Sequence, residues 1–212
     1  MGGADRGAAH APDIATCVPP PRPSRRAAPA PGSPRNTGAG RAFCAGADLT
    51  ALENLMVAQH NSLMQASGYT FLGLIGAPGF RRAETEAIDR ARYWLDRIGL
   101  TGRADDAAGN LPYGDQRRLE IARAMCSEPV LLCLDEPAAG LNARESDELS
   151  QLLLAIRKDH GTSVLLIEHD MKLVMDISDH IFVVNQGTPL AEGKPAEVRD
   201  NPAVIKAYLG ES

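Results

Sequence analysis

The sequence predicts an α/β fold, in which amphipathic helices alternate with the strands of a buried sheet. Two short apolar runs, 130–134 and 162–168, lack polar alternation, a pattern typical of strands buried on both faces of a parallel sheet. Helical patterns precede and separate them, which gives the order α–α–α–β–α–β–α–β. Asp135 and Glu136 follow the first run, at the strand end where open α/β sheets bind ligands.

Composition narrows the class of protein. The 212 residues are 44% hydrophobic and 23% charged, which suits one globular domain with a sizeable core. A net charge of -5 gives no footprint for nucleic acid, so no such partner is expected. The four cysteines have no zinc-type spacing, which favours a reducing, cytosolic chain. The apolar stretch 71–76 is far too short to cross a membrane.

The first 47 residues differ from the rest. Residues 1–48 contain 12 Ala, 8 Pro, 7 Gly and 6 Arg, and they show no periodic apolar face. Such a segment cannot bury enough surface to offset the entropy of ordering. We therefore expect residues 1–47 to be a disordered leader with local polyproline character.

Periodic elements begin after residue 48. The stretch "LTALENLMVAQHNSL" predicts a helix with a capping box at Thr50 and Glu53. The stretch "RAETEAIDRARYWLDRIGL" predicts a second helix that ends at Gly99, with Trp94 in the core. Its inward face is expected to hold Ile88, Ala91, Leu95 and Ile98.

The second half of the sequence predicts further helices and a hairpin. "LPYGDQRRLEIARAMCSE" is a turn followed by a helix, and "ARESDELSQLLLAIRKDHG" is an amphipathic helix that ends at Gly161. A hairpin is expected around residues 185–187, and one or two short helices should close the chain. The inward positions of the two long helices are Leu119, Ala122 and Met125, and Leu149, Leu152, Leu153 and Ile156.

The sequence contains no phosphate-binding P-loop. That loop has the pattern G-x-x-x-x-G-K-[ST], in which backbone amides and the lysine hold phosphate. Only Lys194 follows a glycine, and Pro195 comes next instead of a hydroxyl residue. Carboxylates at a strand end therefore occur here without the usual phosphate loop.

Four motifs together resemble those of ATP-binding cassette (ABC) ATPases. "LPYGDQRRLEIARAM" resembles the signature motif and "VLLCLDEP" Walker B; "AAGLN" resembles the D-loop and "LLIEHDM" the switch-histidine region. Within that family, the residues after about 48 are similar to ATPase subunits of bacterial branched-chain amino acid importers. The resemblance implies an incomplete P-loop NTPase-like ABC ATPase domain, without its first strands, P-loop and Q-loop.

The resemblance implies roles for matching residues. Asp135 would hold Mg²⁺, Glu136 would act as general base toward water, and His169 would contact the γ-phosphate of ATP. The signature residues would face ATP bound by a partner subunit, and the D-loop residues would cross the same dimer interface. The signature residues are Leu111, Pro112, Tyr113, Gly114, Asp115 and Gln116, and the D-loop residues are Gly140, Leu141 and Asn142.

Three signature positions depart from the common family pattern. Pro112 stands where a serine is usual, Tyr113 replaces a glycine, and Asp115 replaces a glutamine. Pro112 removes a hydroxyl contact to phosphate, and Asp115 adds a negative charge near the phosphate. Asp115 is also a favourable residue for a helix start.

The domain organisation implied is a leader (1–47) followed by the C-terminal part of an ABC ATPase domain (48–212). That part divides into a helical and signature region (48–127), a Walker B to switch-histidine sheet (128–190) and a family tail (191–212). The implied partners are a second ATPase subunit, permease subunits and, indirectly, a periplasmic substrate-binding protein. The implied location is the cytoplasmic face of the bacterial inner membrane.

Two functional hypotheses remain open at the level of sequence. One is an ATP-hydrolysing subunit of a branched-chain amino acid importer. The other is a non-catalytic, truncated or frameshifted fragment that cannot bind ATP alone and at most docks on a full-length partner. The missing P-loop strand should also leave residues 130–134 at an apolar edge, so we predict poor solubility for the isolated chain.

Overall fold

A computed structural model of the chain describes residues 13–18, 48–66 and 78–209. Contacts divide them into a helical unit, within Ala27–Val130, and a sheet unit, which combines residues of Met1–Arg26 with those of Leu131–Ser212. The expectations for the rest of the leader and for the apolar stretch 71–76 lie outside the described residues.

The helical unit begins with the predicted capping box. The Thr50 hydroxyl accepts a hydrogen bond from the Glu53 backbone (3.2 Å), and the Glu53 carboxylate accepts one from the Thr50 backbone (2.8 Å). In the described part of this unit the α-helices are α1 (Ala51–Ala58), α2 (His60–Ala66), α3 (Pro78–Arg97) and α4 (Tyr113–Met125). Short 3₁₀ turns at Thr101–Arg103 and Ala108–Asn110 lie between α3 and α4.

Most of the predicted inward positions of the helical unit are buried, while Ile88 is only partly buried. Trp94 is 2% exposed, which confirms its place in the core, and Gly99 ends α3 with a φ of 72°. That left-handed conformation carries little cost for glycine. The buried positions include Leu55, Ala91, Leu95, Ile98, Leu119, Ala122 and Met125.

A buried polar network ties α1 to α3. The Gln59 side chain, 2% exposed, donates to the carbonyls of Leu55 (3.3 Å) and Ala87 (2.9 Å). Its oxygen accepts from Arg90 (2.9 Å), which also pairs with Glu128 at 2.9 Å. The burial of Gln59 is therefore compensated by hydrogen bonds at both ends of its amide.

The sheet unit contains a mixed five-stranded sheet in the order β2-β3-β1-β4-β5. β2 and β3 run parallel, whereas β1 is antiparallel to both β3 and β4, and β4 is antiparallel to β5. The strands are β1 (Asp13–Val18), β2 (Leu131–Asp135), β3 (Ser163–Glu168), β4 (His180–Asn185) and β5 (Thr188–Gly193).

The prediction that residues 130–134 and 162–168 are buried on both faces is wrong. Leu132 and Leu166 are buried, but Leu131 is 49% and Ile167 37% exposed, and Cys133 is exposed as well. The reason is that helices cover one face of these strands, so alternate residues remain open on the other. β2 also lies at the edge of the sheet, as expected for a strand without its family neighbour.

The expectation of disorder is wrong for Asp13–Val18, which form β1. This strand lies between β3 and β4, with Cys17 opposite Leu165 on one side and His180 on the other. Ladder hydrogen bonds on both sides supply a stabilisation that local composition does not reveal. Because β1 is antiparallel to its neighbours, the sheet is mixed and not purely parallel.

The remaining elements of the sheet unit follow the predicted pattern. The long helix α5 (Ala143–His160) ends at Gly161 with a φ of 64°, and α6 (Met171–Ile177) lies between β3 and β4. The hairpin turns through Gln186 and Gly187, both at positive φ, as the tight turns of hairpins require. Two short helices, α7 (Pro195–Arg199) and α8 (Pro202–Leu209), come last.

The core beneath β4 and β5 joins these helices to the sheet. Its buried members are Val174, Ile181, Val183, Val198 and Val204. Met171 and Met175 are partly buried and pack against this cluster. Among the residues that the structure describes, no helix has the length and apolar character needed to cross a bilayer.

Candidate functional site

The chain turns sharply directly after β2. The Glu136 N–H donates to the Ile167 carbonyl at 2.8 Å, which extends the parallel ladder by one residue. Glu136 itself has a φ of 45°, an uncommon conformation for a residue with a side chain, and its carbonyl accepts from the Ala139 N–H (3.1 Å). Such conformations are concentrated at functional sites, where the surrounding structure maintains them.

Glu136 and His169 come together at the same edge of the sheet. Because β2 and β3 are parallel, their carboxyl ends meet, and Glu136 Oε1 lies 3.5 Å from His169 Nδ1. Both side chains are 49% exposed, so a ligand in solution has access to them. A carboxylate that can accept a proton from water thus stands beside an imidazole that can contact a phosphate.

Asp135 is the last residue of β2, opposite Ile167, and its side chain is exposed. Within the described residues, no group of three or more His, Cys, Asp or Glu side chains could hold a metal ion. One or two carboxylates nevertheless fit Mg²⁺ that arrives with a nucleotide, since that ion takes its other ligands from phosphate and water. The donor set therefore fits magnesium bound to ATP.

Glu168 also belongs to this region, although none of the sequence motifs assigned it a role. Its side chain is 1% exposed, and its carboxylate accepts from the backbone N–H groups of Ala138 (2.7 Å), His169 (3.1 Å) and Asp170 (3.4 Å). The available signal was an acid at the end of a strand predicted to be buried, since a buried charge requires partners.

The D-loop residues connect the Glu136 turn to α5. Gly140 has a φ of 78°, and the Leu141 N–H donates to the Ala138 carbonyl at 3.1 Å. Asn142 is the N-cap of α5: its side chain accepts from the Glu145 N–H (3.1 Å), and its own N–H donates to the Glu145 carboxylate (2.9 Å). Asn142 therefore stabilises the helix start, and its amide oxygen is occupied.

A cleft of about 270 Å³ lies between α5 and α6, next to the D-loop. Leu141, Asp147, Asp170 and Lys172 are among its lining residues, and Lys172 pairs with Asp147 at 2.8 Å. Asp135, Glu136 and His169 do not line this cleft. These three residues instead lie at the carboxyl ends of β2 and β3.

The signature residues form the start of α4 in the helical unit. Pro112 occupies the N-cap position and makes no side-chain capping bond, and Gly114 is buried in the first turn. Leu111 is buried, and its carbonyl accepts from the Gln116 side chain at 2.8 Å. A helix start without a side-chain cap leaves backbone N–H groups for other acceptors.

The unusual acid of the signature is neutralised within the unit. Asp115 accepts from Arg103 at 3.2 Å and forms a short ion pair with Arg118. The negative charge is thus matched by two guanidinium groups.

Tyr113 is also paired locally. Its hydroxyl accepts from two nitrogens of Arg117 (2.6 and 3.0 Å), whose guanidinium lies 5.0 Å from the ring centre. Arg117 also pairs with Glu120 at 2.8 Å. Arg117 and Arg118 are therefore engaged by neighbours on their own helix.

Two models of known protein families match segments of this chain. Residues 37–139 match the family model described as "ABC transporter". Residues 188–212 match the model described as "Branched-chain amino acid ATP-binding cassette transporter". The chain therefore contains part of an ABC transporter ATPase domain.

Curated relatives of this ABC chain are close in sequence. It is 60% identical over 165 residues to the high-affinity branched-chain amino acid transport ATP-binding protein LivG of Salmonella typhimurium. It is 58% identical over 166 residues to the corresponding protein BraF of Pseudomonas aeruginosa. Each match covers 78% of this chain and 64% of the relative, so the chain spans less than two thirds of these proteins.

Solved ABC structures confirm the predicted fold class. The ADP conformation of MJ1267, an ATP-binding cassette of an ABC transporter, superposes with a TM-score of 0.63 at 27% identity. The match covers 80% of this chain and 66% of that chain. The structure therefore corresponds to part of an ABC ATPase domain.

Proposed function

We propose that this chain is part of the ATP-hydrolysing subunit of an ABC importer for branched-chain amino acids. The observation that carries the proposal is the approach of Glu136 to His169 beside Asp135, at the carboxyl ends of two parallel strands. The substrate class is proposed from the relatives, whose names assign them to branched-chain amino acid transport.

Each site residue has a proposed role that fits its environment. Asp135 would hold Mg²⁺, which neutralises phosphate charge and orients the nucleotide when bound. Glu136 would accept a proton from the attacking water, and His169 would donate a hydrogen bond to the γ-phosphate. Both side chains are half-exposed, so nucleotide can reach them before a partner subunit closes over the site.

The partner-facing roles belong to the signature and the D-loop. Members of this family bind ATP with Mg²⁺, and importer ATPase subunits work as dimers with permease subunits. In this chain the amides at the start of α4, near Gly114, would face ATP held by the second subunit. Residues 140–142 would lie at the same interface, and the assembly would sit on the cytoplasmic face of the inner membrane.

Magnesium-dependent ATP binding and hydrolysis by the purified chain test this proposal. We expect saturable binding that Glu136→Gln retains, because the substitution preserves size and removes only the basic oxygen. Hydrolysis should fall by a factor of about 100 to 10,000, the range for loss of a general base. Glu148→Gln, which alters an acid on α5 paired with Arg144, is the matched control.

No ATP binding at millimolar concentration would contradict an independent ATPase and favour a second candidate. In that candidate the chain is non-catalytic and presents its signature residues to ATP on a full-length partner. The absence of G-x-x-x-x-G-K-[ST] from the 212 residues favours it. ATP occupancy that appears only after mixing with the partner, and is reduced by Gly114→Trp, would support it.

A further inference from the structure

Two segments of the candidate site approach each other through one buried side chain. The first is the start of the D-loop at Ala138, and the second is the switch region at His169 and Asp170. Glu168 lies between them, with one carboxylate oxygen facing Ala138 and the other facing the switch region.

We infer that Glu168 is a positioning residue that fixes the D-loop and the switch histidine relative to each other. This role deepens the proposed function and rests on it, because the two segments matter together only if they act on the same nucleotide.

The burial of Glu168 shows why its contacts matter. At 1% exposure the carboxylate has no water to solvate it, so its charge is compensated by the three backbone N–H groups. Hydrogen bonds to a charged group are about twice as strong as neutral ones. Displacing either segment would leave part of a buried charge without partners, so the two segments resist separation.

A second contact holds His169 from the other side. The Tyr208 hydroxyl on α8 donates to the His169 carbonyl, while the His169 N–H donates to Glu168. Burial raises the pKa of Tyr208, so this phenol remains a donor at neutral pH. The backbone of His169 is thus held at both its N–H and its carbonyl.

Two carboxylates also lie close to the imidazole of His169. Glu168 Oε2 lies 3.9 Å from His169 Nδ1, and Glu136 Oε1 lies 3.5 Å from the same nitrogen. Both carboxylates therefore lie near the same ring nitrogen, and one of them belongs to Glu168 itself.

Amide hydrogen exchange of the isolated chain, read by mass spectrometry at micromolar concentration, tests this inference. Glu168→Gln has the same shape but replaces one acceptor oxygen by a donor NH₂, which cannot pair with a backbone N–H. We expect exchange to accelerate by a factor of about 10 to 100 in a peptide containing Ala138, or in one containing residues 169–170, or in both.

Three further variants separate positioning from general stability. Glu168→Asp keeps both acceptor oxygens and should show smaller acceleration than Glu168→Gln. Tyr208→Phe should accelerate exchange around residues 169–170 and leave Ala138 unchanged. Glu192→Gln, which removes an acid paired with His180, should change neither segment.

The inference is overturned if Glu168→Gln leaves both segments unchanged. It is also overturned if exchange rises uniformly through residues 131–209, or if Glu168→Asp is as fast as Glu168→Gln, because a merely structural role predicts those results. The exchange measurement needs no nucleotide. A failure of ATP binding would therefore contradict the proposed function, while the exchange rates would still test the role of Glu168.

Discussion

The helical unit and the sheet unit differ in how far local sequence decides what is buried. In α3, the apolar face that includes Leu95 and Ile98 is buried as its periodicity predicts. In β2 and β3, equally apolar neighbours divide into buried Leu166 and exposed Ile167. A helix has one apolar stripe to cover, whereas a strand has two faces, and coverage of the second depends on distant chain.

The sheet unit differs from the helical unit in having an exposed apolar face on β2 and β3. Leu131, Cys133 and Ile167 share one face of the parallel pair and are all exposed. Exposed apolar residues at a strand edge favour association between chains. Poor solubility of the isolated chain therefore stays a prediction of this structure.

Thiol reactivity should show the largest contrast between the units. Cys133 lies on the exposed sheet face, whereas burial raises the pKa of Cys126 in the helical unit to about 12. At pH 8 only about one in ten thousand such thiols is ionised, about a thousandfold fewer than for a free cysteine, so we expect Cys126 to react far more slowly than the exposed Cys133. Maleimide labelling of a Cys17→Ser, Cys44→Ser background measures both rates.

Labelling of Cys126 should become faster as the pH rises. Below its pKa the Cys126 thiol gains thiolate as pH rises, so its rate should increase about tenfold per pH unit. Equal rates at the two thiols at pH 8 would show that the contrast in burial does not exist in solution.

Truncation of adjacent residues on β3 should separate its two faces. Leu166→Ala leaves a cavity beneath the helices and should lower the free energy of unfolding by about 2–5 kcal/mol. Ile167→Ala alters the exposed face and should cost about 1 kcal/mol or less. Urea denaturation followed by circular dichroism gives both values, and similar losses would mean that something covers the Ile167 face.

A smaller effect is expected from the polar network of the helical unit. Gln59→Leu would leave the Ala87 carbonyl and an Arg90 donor without their partner, and should cost about 1–3 kcal/mol. Trp94 is the single tryptophan and is buried on α3. Its fluorescence during urea denaturation therefore measures the unfolding of the helical unit.

The control for this network is an exposed ion pair on α3, the helix that carries Ala87 and Arg90. Glu86→Gln removes the partner of Arg82 and should change the free energy of unfolding by about 0.5 kcal/mol or less. If both substitutions cost the same, the buried hydrogen bonds of Gln59 contribute nothing specific.

Much of the candidate site could be predicted because its motifs are local. The adjacent acids at 135 and 136, the histidine after the next strand, and the signature at a helix start are each readable within a few residues. Glu168 and Tyr208 were missed since their roles depend on backbone groups that only folding brings near. Asp115 was identified, but its neutralisation by Arg103 depends on a turn twelve residues earlier.

The sequence by itself determined the helices, the capping box at Thr50, the glycine stops at 99 and 161, the hairpin and the family motifs, because each follows from patterns that span a turn or a strand. Tertiary structure decided which strand faces are covered, where Asp13–Val18 pair, and how Glu168 joins the D-loop to His169. The physical reason is range: capping bonds and amphipathic periodicity act over three or four residues. Burial of a strand face or of a charge depends on which distant segment supplies the covering atoms and hydrogen-bond donors.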